Sequence, residues 1–527
     1  MSTARLARSA FALVLAVCAL LPASYLLLAA LPVLFDSGWL AHFASTSLPH
    51  QARTSLWVAL EASVVAFSVG AFPAVAVSRF DFRGRHLVSL LALLPLLFAP
   101  YVTAATWTVS FSSAFFESRH ALAIQHGLTC SPYVFIAFRV AAARIPNSFS
   151  ELAAGLGLGP WQRLRRVHLP AYAVPAAAGL MIVFAQAIGD YAAAERLGID
   201  TLSVGVLNLW LASQSSLVAA TVAVVMIVPS VLLVGVAAWA STSIISQNPI
   251  PPASAAASRK PLATPAARVI VAWSVLCSLA GFWIPEALTV RWAWLKWDST
   301  RFASIPMDTI NAAGTSLCTA LVVAVVCAVT ALLLRSGGRS SLAERVPWLF
   351  LSNYFLPSLV LALAFVMMSR DGSLGAQWLG TWRDSRLLIV VSESLRFMPF
   401  AMLPVLDALR RTPNATIETA RAFGAGPVGA RMVAFAGHLR PALLLGCALV
   451  FMESLKELDM SLMLQPFGYS SPALKIYAFS RFQNMDRAAV WVLITQVLLL
   501  PPLLLCWWRM NKLGAPQSAA LGQRAAA

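Results

Sequence analysis

What most constrains this chain is a run of about twenty apolar residues that recurs from one end to the other. Such a run, as a helix rising 1.5 Å per residue, crosses the roughly 30 Å hydrocarbon layer of a bilayer. The runs fall near 10–34, 54–78, 88–111, 125–143, 173–194 and 217–239, and again near 268–288, 312–334, 348–368, 388–406, 442–463 and 488–508. Of the 527 residues, 59% are hydrophobic and 11% charged, against about 25% charged in soluble domains. A water-soluble globule and a disordered chain are both excluded. The pattern predicts an all-α membrane protein of about twelve transmembrane helices in two tandem groups of six.

The first run follows Arg5 and Arg8. Its apolar stretch exceeds the 7–15 residues of a signal-peptide core, so an uncleaved anchor is expected, with the N-terminus in the cytoplasm. The two groups become a first transmembrane domain at 1–239 and a second at 268–512. Between them, 240–267 is rich in Pro, Ala and Ser and reads as a cytoplasmic linker. The stretch 513–527 reads as a disordered tail.

The net charge of +17 suggests nucleic-acid binding until it is placed along the chain. With the N-terminus inside, the cytoplasmic segments hold 23 Lys and Arg against 5 Asp and Glu. The outer loops hold 12 and 9, and the spans 3 and 7. This asymmetry is the positive-inside rule. It puts both termini in the cytoplasm, makes lipid the main surroundings, and leaves no charge for a nucleic-acid partner to explain. The seven cysteines lie mostly in apolar runs without a CxxC pair, and the seven histidines form no cluster. Neither a disulfide framework nor a metal site is predicted.

Residues 132–190 align with 399–457 without a gap, at an offset of 267, with 13 of 59 positions identical. The informative matches are Pro132/Pro399, Arg144/Arg411, Pro146/Pro413, Asn147/Asn414, Glu151/Glu418, Gly157/Gly424, Gly159/Gly426, Pro160/Pro427 and Gly179/Gly446. Thr54-Ser55-Leu56 similarly recurs as Thr315-Ser316-Leu317. The reading is an internal duplication with both copies in one orientation, as in transporters that build their pathway between parallel repeats.

The centre of the repeat is polar. The first copy, in the loop 146–172, carries Glu151, Ala153, Ala154 and Gly157, then Leu169 and Pro170. The second, in 412–441, carries Glu418, Ala420 and Gly424, with Arg421 and Gly437 in place of an Ala and a Pro. Helix formers followed by Gly predict a short helix, a turn and another short helix. This Glu-x-Ala-Ala-x-x-Gly, nine residues, Val-x-Leu-Pro arrangement resembles the EAA loop of ATP-binding cassette (ABC) importer permeases. The resemblance implies a MetI-like fold in two tandem domains. It also implies coupling helices at these residues that dock in a cytoplasmic ABC ATPase homodimer, which holds the ATP and Mg. Ser131-Pro-Tyr-Val-Phe135, Asp190-Tyr191, Gly198-Ile-Asp-Thr201, Lys456-Glu-Leu458 and Leu464-Gln-Pro-Phe-Gly468 are similar to the fused permeases of ferric iron importers. Related fused permeases carry thiamine or phosphonates. The resemblance further implies a bacterial inner-membrane permease fed by a periplasmic binding protein.

The chain has no GxxxxGK[ST] loop, so it is not expected to be an enzyme and binds no cofactor of its own. A secondary transporter or a polytopic membrane enzyme are the rival classes. Neither needs paired EAA loops, and no catalytic constellation is evident.

Seven acids fall within the expected spans: Glu61, Asp190, Glu286, Glu393, Glu453, Glu457 and Asp459. Charges in a bilayer normally face a cavity or one another. Gln186 with Asp190, and Glu453 with Glu457, share a helix face at spacing four. Together with Lys456 they are the candidate lining of a translocation pathway. Within one helix, Glu453 can instead pair with Lys456, and Glu393 with Arg396.

Overall fold

The computed structural model describes residues 3–34, 45–111, 113–142, 147–213, 259–297, 304–335, 349–369, 375–411 and 414–512, and a few single positions between them. The expected span at 217–239, the linker from 240 to 258 and the tail 513–527 lie outside the described residues.

The described chain is almost wholly helical, as a backbone in lipid must satisfy its polar groups internally. In order the helices are α1 (Thr3–Leu34), α2 (Leu48–Arg79), α3 (Arg85–Leu91), α4 (Pro100–Ser110) and α5 (Arg119–Ala142). Next come α6 (Asn147–Gly155), α7 (Pro160–Arg163), α8 (Leu169–Gly189), α9 (Ala192–Arg196) and α10 (Leu202–Ser213). Then follow α11 (Thr264–Ser278), which begins inside the expected linker, α12 (Ile284–Leu295), α13 (Ile305–Arg335), α14 (Ser358–Ser369) and α15 (Ala376–Leu379). The last are α16 (Arg386–Arg411), α17 (Asn414–Ala422), α18 (Pro427–Ala434), α19 (Arg440–Lys456), α20 (Asp459–Leu464), α21 (Pro472–Arg481) and α22 (Met485–Lys512). Two short strands, β1 (Phe80–Asp81) and β2 (Lys260–Pro261), pair in parallel and tie the end of the linker to the end of α2.

Among the described residues, seven helices are long and apolar enough to cross a bilayer, or ten if each bent pair counts as one span. Two of the expected twelve are not among these. One is 217–239. The other is 442–463, where the helix stops at Lys456 and Glu457 is extended (φ −69°, ψ 120°). The expected span 173–194 likewise stops at Gly189, with Asp190 extended (φ −73°, ψ 116°).

The spans expected at 88–111 and 348–368 are bent rather than straight, by 85° and 106°. Proline explains the breaks. The residue before a proline is pushed out of the helical region, and the proline then opens the next helix at a position whose N–H is not needed. Ala99 is extended (φ −81°, ψ 146°) ahead of Pro100, which starts α4. Pro357 stands at the second break, directly ahead of α14.

Helices α2, α5 and α8 pack on one another, and α13, α16 and α19 form a second trio. Small residues set the closest approaches. A Cβ on Gly179 would lie 3.0 Å from the Val134 Cα, and one on Gly446 would lie 2.4 Å from the Ala401 Cα. Both pairs stand at the 267-residue offset.

Candidate functional site

Two regions bring the sequence-predicted residues together. The first is the pair of glycine turns. In one, the Gly157 N–H donates to the Ala154 carbonyl (3.0 Å) and Leu158 N–H to that of Ala153 (3.1 Å). In the other, Gly424 donates to Arg421 (2.9 Å) and Ala425 to Ala420 (3.0 Å). These are the crossed bonds of a Schellman cap, which needs a left-handed residue. Gly157 (φ 77°) and Gly424 (φ 82°) supply it. A Cβ at either would meet nothing within 4 Å, so the sign of φ, not space, calls for glycine.

Glu151, Ala154, Leu169, Pro170 and Glu418 are exposed, Ala420 is half-buried, and Ala153 is buried. Apolar side chains stand in the open beside the glutamates: Leu156 is 80% exposed and Phe423 87%. Arg421 and Gly437, where the second copy departs from the first, are also exposed. Glu151 pairs with Lys260 of β2 at 3.1 Å, both side chains being largely in solvent, a contact worth little on its own.

The second region is a small polar cavity of about 60 Å³, room for roughly four waters at about 15 Å³ each. Gln186, Asp190, Glu453, Lys456 and Glu457 all line it, with Tyr133, Ser358 and Asp459. It lies where the spans break, and the starts of α4, α14, α9 and α20 converge on it. Helix starts carry partial positive charge and unpaired N–H groups, which explains the acids. Asp190 accepts from the Ala193 N–H (2.7 Å) and Glu457 from the Met460 N–H (3.3 Å). The two caps are again 267 residues apart. Asp459 accepts from the Ser358 hydroxyl at the start of α14 (3.1 Å).

Glu453 has the richest set of partners. Its Oε2 accepts from Gln186 Nε2 (3.1 Å). Its Oε1 accepts from the Tyr133 hydroxyl and from Lys456 Nζ (2.8 Å). The intrahelical pair anticipated for Glu453 and Lys456 is therefore formed. The one anticipated for Glu393 and Arg396 is not. Glu393 accepts from Ser454 and from Thr319 (3.3 Å). Arg396 donates to the Leu356 carbonyl at the 106° bend and lies over the rings of Tyr354 and Phe397.

The other intramembrane acids are also engaged, Glu61 with His120 (2.8 Å) and Glu286 with Gln496 (2.7 Å). Sequence reasoning missed the partners: His126, 3.1 Å from Asp190, and Tyr133 and Ser358. His126 and Ser358 show in the sequence only as single polar residues on apolar helices, and Tyr133 within the Ser131-Pro-Tyr-Val-Phe135 motif. Among the described residues, no group of three or more His, Cys, Asp or Glu is placed to hold a metal ion.

Residues 63–245 match the family of the binding-protein-dependent transport system inner membrane component. The chain is also similar, over part of its length, to ABC permeases. A probable molybdenum ABC transporter permease of Haloferax volcanii is 26% identical over 174 residues, 31% of this chain and 64% of that protein. A putative 2-aminoethylphosphonate transport system permease of Salmonella typhimurium is 26% identical over 161 residues, 29% of this chain and 61% of the relative. A molybdate/tungstate transport system permease of Thermococcus kodakarensis is 23% identical over 141 residues, 27% and 57% of the two chains. The chain thus spans about three-fifths of the length of the relatives it matches. These relatives are transport permeases, and this chain is a multi-span membrane protein.

Proposed function

We propose that this chain is the membrane-spanning permease subunit of an ABC importer. The observation that carries the reading is the pair of matching glycine turns, each presenting a glutamate beside exposed leucine or phenylalanine. Apolar side chains held in the open on a rigid turn suit a groove in another protein. In this reading a cytoplasmic ATPase homodimer holds ATP and Mg and takes the turns at Glu151 and Glu418 into its grooves. Each half supplies one six-helix domain, and the two rock about the polar cavity to give alternating access. A periplasmic binding protein delivers the solute. The chain itself hydrolyses nothing, and it sits in a bacterial inner membrane with both termini inside.

The cargo is a small solute. Motifs similar to iron permeases favour ferric iron, and the names of the matched relatives favour molybdate or a phosphonate. Uptake of each of the three into proteoliposomes holding the whole complex distinguishes them.

The reading is tested by affinity purification with the ATPase. Glu151→Ala with Glu418→Ala is expected to abolish co-purification while the chain still elutes as a single species. Undiminished retention of the ATPase would remove the reading.

A further inference from the structure

We propose that Glu453 is the latch that holds the two halves shut beside the polar cavity, and that Lys456 is the companion charge that lets it open. The proposal rests on the permease reading above. Gln186 and Glu453 stand 267 residues apart in sequence and touch. Tyr133 and Phe400, also 267 apart, face each other with ring centroids at 6.0 Å. In a two-fold arrangement every contact from i to j is matched by one from j to i, so a residue meets its own equivalent only at the axis. These side chains mark that axis. Any parting of the halves on the cavity side must break their contacts.

The partners of Glu453 divide in a useful way. Tyr133 on α5 and Gln186 on α8 belong to the first half. Lys456 lies one turn along the same helix, α19. When the halves part, Glu453 loses two hydrogen bonds from neutral donors and keeps its ion pair. A buried carboxylate stripped of every partner would be prohibitively costly. Carrying the lysine on the same helix removes that barrier, so the latch can cycle.

The latch is also one-sided. Position 189, the equivalent of Lys456, is glycine, and a Cβ there would lie 3.2 Å from the Pro357 Cα. Position 400, the equivalent of Tyr133, is a phenylalanine without a hydroxyl. One charged pair therefore serves both halves, and the two bundles need not open by identical contacts.

Cys130 lines the same cavity and is buried, so it reports on opening. Cys506, buried on α22 and absent from the cavity lining, reports on general loosening. The purified full chain in proteoliposomes is treated with a small cationic methanethiosulfonate, and each cysteine is followed by mass spectrometry. Tyr133→Phe with Gln186→Ala removes both cross-half donors and leaves the Glu453–Lys456 pair. The expected result is a rise of at least about tenfold in the rate at Cys130, with Cys506 unchanged. Tyr133→Phe alone, which deletes one oxygen and keeps the ring, gives a smaller rise in the same direction. Unchanged protection of Cys130 in both variants overturns the latch, as does a parallel rise at Cys506. Because the labelling needs no ATPase, its failure leaves the permease reading standing. Failure of ATPase co-purification strikes that reading and not the closed contact.

Discussion

At the scale of the residue, Lys456 is the charged partner of a buried carboxylate. Its amino group lies 2.8 Å from Glu453, and both side chains are at most 10% exposed. Lys456→Met therefore leaves the buried Glu453 with only the neutral donors Tyr133 and Gln186, at a cost of about 3–5 kcal/mol. The expected outcome is a clear fall in unfolding temperature in detergent, much of it recovered when Glu453→Gln is added. No recovery in the double variant would mean that the lysine acts through packing alone. The pairing was legible in sequence because a spacing of three fixes both side chains on one face. The same spacing misled at Glu393 and Arg396. There the 106° bend offers the Leu356 carbonyl to the guanidinium, and Ser454 and Thr319 reach the acid from neighbouring helices.

At the scale of the element, the two trios are set by glycine at their crossings. The Cβ of Gly446→Ala would lie 2.4 Å from the Ala401 backbone, and that of Gly179→Ala 3.0 Å from the Val134 backbone. Backbone cannot swing aside as a side chain can. Both substitutions are expected to destabilise, by about 1–3 kcal/mol, with Gly446→Ala the more severe. The monodisperse fraction on gel filtration and the thermal midpoint measure the order. Equal tolerance of the two would show that α16 and α19 slide freely. The sequence announced the spans by their apolar length, and it carried the prolines of the bends. It did not show that the runs at 88–111 and 348–368 break there, since hydropathy sums over a window and is blind to direction. Nor did it show that the runs at 173–194 and 442–463 end at Asp190 and Glu457. Each lines the polar cavity and also caps the short helix that follows.

At the scale of the whole molecule, the halves also meet beyond the ends of α8 and α19. The Tyr191 and Tyr477 hydroxyls are 3.1 Å apart, Tyr477 donates to Glu195 (2.6 Å), and Arg481 pairs with the same acid (3.3 Å). In the proposed alternating access, rocking of one half against the other parts this cluster as well. Cysteines at 191 and 477 joined by a short bifunctional methanethiosulfonate are therefore expected to stop transport, with recovery on reduction. Transport that continues while the link is intact would show that the halves do not separate there. What the sequence determined by itself was the solvent, the helical character, the 267-residue repeat and the two glycine turns. Each depends on local composition, periodicity or a single backbone angle. What only the tertiary structure decided was which polar groups meet. Helical spacing fixes the face a side chain shares with its near neighbours. The neighbour across that face comes from distant parts of the chain, as Glu453 shows by binding Tyr133 and Gln186. The packing of whole helices, through glycine contacts and proline bends, brings those groups into one cavity.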